Sequence, residues 1–425
     1  MESGRRHIHF FSQHRSSSTV MRRTTITGMF LLCLLVIFVS PLKAEAFRYG
    51  IDVLEMSRCA GLAGKKTGLV TNAASLDSKG EPVYRVLQCC GVNLKFLMAP
   101  EHGFSAVKPA GENIADGTLS DTLPVYSLYG GTRIPDLKLL KSIDVLVFDL
   151  QDVGTRCYTY ISTLKYVMEA CAATGVSFMV LDRPNPIAPV PADGFMLEPA
   201  FESFVGSVGI PFIHSMSVGE IAVWLQMTSY PKLSLKVVRM QGYQRKAFAD
   251  ELRGYRFVSP SPNIRDLETV LVYPATVFLE ATTVSEGRGT DAPFKLFGAP
   301  FVDSGRLKQE LDRYRLPGVL FQKEVFQPKS GKFTARRCYG LRMKVTDRYT
   351  FDPFRTAAAI LLSLQKLYPE KLGLEKNSNF FDRLAGTDLF RIMVQKQLPI
   401  EEILAATRNQ VHAFEQRNPH RFLYP

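Results

Sequence analysis

Short apolar runs recur along the first half of the chain, and stretches with helical spacing separate them. Residues 68–72, 94–99, 144–149 and 177–182 read as buried strands, each a near-continuous apolar run closed by a polar residue or a turn. Residues 84–90 and 160–174 read as helices. In the second, Ile161, Leu164, Val167, Met168 and Cys171 fall on one face, and Gly175 stops the helix. Apolar strands alternating with amphipathic helices belong to parallel sheets covered on both faces. Right-handed crossovers turn that pattern into an α/β, Rossmann-like doubly wound sheet. Farther on, 218–227 predicts a helix with Ser217 as N-cap and Glu220 completing a capping box, and 233–240 predicts another strand.

The rigid stretch Ser259-Pro-Ser-Pro-Asn263 reads as a junction between a Rossmann-like domain over 47–266 and a second, smaller C-terminal α/β domain over 267–425. In the latter, 269–273 and 276–280 read as strands, 285–290 as a loop, and 303–315, 352–367 and 399–408 as helices.

Composition agrees with a folded protein: of 425 residues, 46% are hydrophobic and 22% charged, enough apolar material for a large core. The N-terminus is a separate matter. Arg22 and Arg23 precede an apolar run over 29–39, too short to span a membrane, and Ala44-Glu-Ala46 follows. This pattern predicts a signal peptide over 1–46, with Met21 as a natural start, an exported (periplasmic or secreted) product and no stable membrane anchor after cleavage. The formal charge is +12; six Lys/Arg against two Asp/Glu in 1–46 account for +4, leaving +8. That is a mild attraction for anions, and with no dense basic run it gives no support to nucleic-acid binding. Without Cys33, six cysteines remain, with neither a C-x-x-C pair nor zinc spacing; small buried thiols are the favoured reading, and pairing stays open.

Candidate chemistry collects where strands end. Asn72 follows the first strand, Glu101-His102 the second, Asp149 with Gln151 and Asp152 the third, and Asp182-Arg183 the fourth. In a parallel sheet these ends share one edge, where ligands bind. Glu101, in the tight loop Pro100-Glu-His-Gly103 after an apolar strand, is the candidate general acid. Arg156 offers a planar fork that matches a carboxylate, and Tyr158 and Tyr160, two residues apart, are candidates to flank a sugar ring. Glu286 and Arg288 sit between glycines. The same segment spells G-x-G-x-x-A, but it does not follow the first strand of the chain, so no dinucleotide is expected. No cofactor is expected. A metal held by His102, Asp149 and Asp182 has no spacing signature, and there is no H-E-x-x-H, G-x-S-x-G or Walker A sequence.

The segments Phe96-Leu-Met-Ala-Pro-Glu-His-Gly103, Val125-Tyr-Ser-Leu-Tyr-Gly130, Asp149-Leu-Gln-Asp-Val-Gly-Thr-Arg156, Leu181-Asp-Arg-Pro-Asn-Pro186, Ser259-Pro-Ser-Pro-Asn263 and Val284-Ser-Glu-Gly-Arg-Gly-Thr290 resemble, in order and spacing, the exo-β-N-acetylmuramidases of the NamZ type. The resemblance runs from about Gly50 to the C-terminus. It departs at Ser105-Ala106, where the family pattern carries Arg-Gly. It implies a cleft between the two domains and the release of N-acetylmuramic acid from the non-reducing ends of peptidoglycan fragments, in cell-wall turnover or recycling. Glu101 would be catalytic. Glu286 would be its partner, with Asp149 and Asp152 as rivals for that role. Arg156 or Arg288 would hold the lactyl carboxylate, and His102 and Asn72 would bond sugar hydroxyls. A two-lobe exported binding protein for such sugars remains the alternative. Oligomeric state is not legible.

Overall fold

The computed structural model of the chain describes residues 46–119 and 122–425. All but the last residue of the expected signal peptide therefore lies outside the described residues. The expected doubly wound sheet is present. It has seven strands, β1 (Lys66–Val70), β2 (Asn93–Ala99), β3 (Gly117–Leu119), β4 (Leu123–Ser127), β5 (Val145–Phe148), β6 (Ser177–Leu181) and β7 (Leu235–Val238), in the order β3-β4-β2-β1-β5-β6-β7. Every neighbour pairs in parallel except β3 with β4 at one edge. The chain winds outward from β1 through β2 to β4, then returns to β5 and winds the other way. The switch point therefore lies between β1 and β5.

Both faces of the sheet are buried, and the period-2 geometry of strands divides their side chains cleanly. Leu146, Phe148, Phe178 and Val180 enter one core. Val145, Val147, Met179 and Leu181 enter the other. Helices α1 (Gly50–Met56) and α2 (Val83–Cys89) cover the second face with Ile51, Leu54, Val86 and Leu87. The first face is covered through α3 (Leu137–Leu140), α4 (Tyr160–Thr174) and α5 (Val218–Thr228). Gly175 ends α4 at φ 75°, a left-handed cap. Ser217 and Glu220 form the expected capping box on α5.

The smaller domain holds a three-stranded antiparallel sheet, β8 (Leu296–Ala299), β9 (Val319–Phe326) and β10 (Cys338–Val345), in the order β8-β10-β9. One expectation fails here. Residues 269–273 and 276–280 are not strands but helix α6 (Leu267–Thr276) followed by the 3-10 segment Val277–Ala281. The β-branched run is apolar on all sides because Thr269–Thr276 is buried throughout, so its periodicity is mute. Asp266 decides the matter by capping the helix, its side chain accepting the Thr269 N–H at 2.7 Å. Helices α7 (Ser304–Asp312), α8 (Pro353–Leu367), α9 (Pro369–Leu372), α10 (Ser378–Ala385), α11 (Leu389–Gln395) and α12 (Ile400–Arg417) complete the domain.

One apolar core runs from the first face of the large sheet into α6, α8 and α10–α12, so the domains share their interior and Ala46–Pro425 is one compact unit. The C-terminus is pinned back on the large sheet, where the Tyr424 hydroxyl donates to Asp182 at 2.6 Å. All six described cysteines are free thiols, and Cys59, Cys157, Cys171 and Cys338 are buried. Among the described residues no helix is long and apolar enough to cross a membrane.

Candidate active site

The carboxyl edge of the sheet opens into a cleft of ≈ 870 Å³, walled on one side by the loops after β2 and β5 and on the other by 280–289 and 330–331 of the smaller domain. Glu101 lies at the base of the first wall. Its carboxyl is buried at 5% exposure, yet it borders the cleft. Oε1 accepts the Gly111 N–H at 2.8 Å and Oε2 accepts the Thr159 hydroxyl at 2.7 Å. Thr159 is the N-cap residue of α4 but makes no side-chain cap bond, because its hydroxyl serves Glu101 instead. Both contacts donate to the carboxyl and fix its orientation at the cleft wall.

The loop carrying Glu101 is bent by left-handed residues. His102 has φ 73°, Gly103 φ 74° and Ala106 φ 59°. For His102 and Ala106 that conformation is strained, as is common where a loop aims a functional group. The His102 Nδ1 is 2.7 Å from the Lys108 carbonyl, which only accepts, so Nδ1 carries the proton. Burial pushes the imidazole pKa down, against the opposing pull of Glu101 and with help from Arg288. The neutral ring keeps Nε2 as an acceptor.

The opposite wall holds a knot of charge. Arg288 donates through Nε to Glu280 at 3.1 Å and lies 3.4 Å from Glu286. Lys332 donates to Glu286 at 3.0 Å. Burial raises the Glu280 pKa, opposed by Arg288 and reinforced by the like charge of Glu286. Gly287 and Gly289, at φ 81° and 80°, allow this knot to form. A Cβ on Gly287 would meet the Leu296 carbonyl at 2.5 Å, and one on Gly289 the Ser330 carbonyl at 2.2 Å. The glycines thus serve backbone packing, not a dinucleotide phosphate.

Other expected site residues lie behind the cleft. The Asn72 amide donates to the Tyr160 hydroxyl at 2.9 Å, and that hydroxyl donates to the Pro260 carbonyl at 2.7 Å. Asn72 also accepts the Ala74 N–H at 3.0 Å, so neither side chain is free for a sugar hydroxyl, and neither lines the cleft. Arg156 is corrected outright as a carboxylate clamp. It is fully buried, and its guanidinium donates to the carbonyls of Phe195 at 2.6 Å, Ile210 at 2.9 Å and Ala385 at 2.5 Å. Asp149 pairs with Arg183 inside the sheet edge. Asp152 accepts the Gly154 N–H at 2.7 Å and stands 3.2 Å from His214 Nε2, without hydrogen-bond alignment. Neither borders the cleft.

The same architecture recurs in known proteins. Residues 67–268 match the N-terminal domain, and residues 271–424 the C-terminal domain, of the exo-beta-N-acetylmuramidase NamZ. A peptidoglycan beta-N-acetylmuramidase NamZ from Bacillus subtilis is 38% identical over 384 residues, covering 90% of this chain and 92% of that protein. The chain belongs to the NamZ family. A DUF1343 family protein from Bacteroides fragilis, solved by crystallography, is 32% identical with a TM-score of 0.82, covering 89% of this chain and 99% of that one. A second DUF1343 family protein from the same organism, 24% identical with a TM-score of 0.71, shares the fold, covering 89% of this chain and 99% of that one.

Among the residues lining this cleft, Glu280, Tyr129 and Arg133 were given no role by the sequence reading. Glu280 was read as the end of a strand; an acid inside the otherwise apolar run Val277–Ala281 was the available signal. Tyr129 and Arg133 border the cleft from the loop after β4; Tyr129 lay in the segment 125–130 that carries the resemblance but was given no role, and nothing in the local pattern set Arg133 apart. As for metals, Asp52, Glu55 and Asp77 alone among the described residues bring three ligand atoms within 4.8 Å. Backbone N–H groups of Tyr49, Ser78, Lys79 and Glu81 and the Lys79 ammonium already occupy them.

Proposed function

We propose that the chain is an exo-acting β-N-acetylmuramidase, a glycoside hydrolase that releases N-acetylmuramic acid from the non-reducing ends of peptidoglycan fragments in cell-wall turnover or recycling. The observation that carries the reading is that Glu101 of the large domain and Glu286 of the small one border a single cleft in a chain 38% identical to a peptidoglycan beta-N-acetylmuramidase.

In this reading Glu101 handles the proton of the glycosidic oxygen, and Gly111 and Thr159 fix its direction. Glu286, held between Arg288 and Lys332, supplies the negative charge that activates water or stabilises the cationic sugar. Glu280, whose pKa burial raises against the pull of Arg288, stands beside it in the same charged knot. Retaining enzymes hold the two working carboxyls about 5–5.5 Å apart and inverting ones roughly 6.5–9.5 Å, so the stereochemistry of the released sugar reports the spacing at which Glu101 and its partner work. His102 Nε2 would accept from a sugar hydroxyl. Export is part of the proposal and rests on the apolar run over 29–39 followed by Ala44-Glu-Ala46.

The test is hydrolysis of para-nitrophenyl β-N-acetylmuramic acid beside its N-acetylglucosamine analogue. Release from the first alone is expected. Release from neither, by protein shown to be folded, turns the reading to a two-lobe binding protein for the same sugars.

A further inference from the structure

An enzyme that reads muramic acid rather than glucosamine must recognise the lactyl carboxylate, the one charged group that separates them. The cleft contains several cations, but most are engaged. Arg288 and Lys332 are tied to Glu280 and Glu286. Arg265 donates to the carbonyls of Pro262 and Asp291, each at 3.3 Å. Among the described residues neither a ring nor a carboxylate orients Arg383.

Arg133 is different. Its guanidinium lies 4.3 Å over the Phe204 ring centroid and 5.0 Å from that of Tyr129. The two rings are 5.4 Å apart and tilted by 47°, so they form an angled cradle for the cation. Among the described residues no carboxylate pairs with Arg133. A guanidinium seated on aromatic faces keeps its in-plane N–H donors available, and the stacking limits the freedom lost on binding. Tyr129 also links it to the chemistry, since the tyrosine interacts electrostatically with both the Glu101 carboxyl and the Arg133 guanidinium. The cation therefore borders the same cleft as the proposed catalytic carboxyl, seated against Tyr129.

We propose that Arg133, cradled by Tyr129 and Phe204, is the specificity residue that binds the lactyl carboxylate of the terminal sugar through a bidentate pair. The proposal rests on the muramidase reading and names the part of the site that makes the discrimination. It replaces Arg156 and Arg288 in that role, because both guanidinia are already occupied. The geometry of a carboxylate suits a planar fork better than a point charge, so lysine is an imperfect substitute.

The test compares para-nitrophenyl β-N-acetylmuramic acid with the same glycoside capped as its lactamide, using the wild-type protein, Arg133→Met and Arg133→Lys. Wild type is expected to favour the free acid by roughly 10- to 100-fold in kcat/KM, as expected when one charge-assisted pair is gained. Arg133→Met should erase that preference through KM, with kcat and the amide's kcat/KM nearly unchanged, and Arg133→Lys should restore part of it. Equal turnover of acid and amide by wild type overturns the proposal without a variant, as does an Arg133→Met protein that keeps the preference. Turnover of neither glycoside by folded wild type would instead sink the muramidase reading itself.

Discussion

Two loops leave the same edge of the large sheet, one after β2 and one after β5, and both are dense in buried polar residues. They do opposite things. In the β2 loop, Glu101 has each oxygen fixed by one donor and still borders the cleft. In the β5 loop, Arg156 is fully buried under three carbonyls, and Asp149 is closed off by Arg183. The first loop carries chemistry, and the second ties the domains together, since one of the Arg156 carbonyls belongs to Ala385 of the smaller domain. Polar density at a strand end marks the place of a site. Only the count of bonds each group still has to offer distinguishes a working residue from a structural one.

The sharpest way to break this comparison is to remove the function of one loop without its fold. Glu101→Gln keeps the shape and the Gly111 N–H bond to its remaining oxygen, while its NH2 turns the Thr159 hydroxyl from donor to acceptor, so the melting temperature should nearly hold while kcat falls by about 10²–10⁴, the range for one acid–base group. Hydrolysis of the muramic substrate measures the first quantity and a thermal melt the second. Turnover within a few-fold of wild type would remove Glu101 from the chemistry.

The mirror experiment is Arg156→Met. It orphans the Phe195, Ile210 and Ala385 carbonyls, and a buried group left unpaired costs about 1–3 kcal/mol. With partial relaxation, a loss of about 3–5 kcal/mol is expected in a urea melt, while kcat/KM per folded molecule stays near wild type. A variant of full stability with a raised KM would mean that Arg156 meets substrate after all.

These two loops also show how far the sequence could be read. The doubly wound sheet was legible because apolar runs such as Val145–Phe148 alternate with an amphipathic α4, and the sheet edge followed from parallel strands alone. Glu101, His102, Glu286 and Arg288 were legible as cleft residues because their loops carry glycine and little apolar material. Arg156 and Asp149 were misread because a guanidinium facing three carbonyls and one facing a ligand have the same sequence; the carbonyls come from positions as distant as Ala385. Glu280 was missed for a related reason. Its segment is apolar on every side, so neither helical nor strand period survives, and the acid was placed on the wrong element.

A subtler test concerns the pH response of the active loop. Burial lowers the His102 pKa, so as pH falls below 6.5 the unfolded chain takes the proton before the folded one. The folded state therefore loses stability on this account on the acid side of pH 6.5 and regains it above. Nitrogen-15 NMR of the imidazole should find the Nδ1–H tautomer and a midpoint below 6.5. The acid limb of kcat/KM attributable to this ring should fall in the same range. A midpoint above 6.5 would mean that Glu101 outweighs burial at this ring.

The smallest effect concerns the departure at Ser105-Ala106. Ala106 holds φ 59°, a left-handed conformation that costs a residue with a Cβ roughly 1–2 kcal/mol. Glycine, which the family pattern carries there, would remove that strain. It would also give up a buried methyl worth about 0.8 kcal/mol and add roughly 0.5–1 kcal/mol of backbone entropy to the ordering cost. The terms nearly cancel, so Ala106→Gly should move stability by less than about 1 kcal/mol in either direction and leave kcat/KM unchanged, as a urea melt and the muramic substrate would report. Unchanged kinetics would place this departure with the structural residues of the comparison, a backbone matter inside a catalytic loop. A several-fold change in KM would mean that the turn at 105–106 sets the aim of Glu101, and that being left-handed there is part of how the loop works.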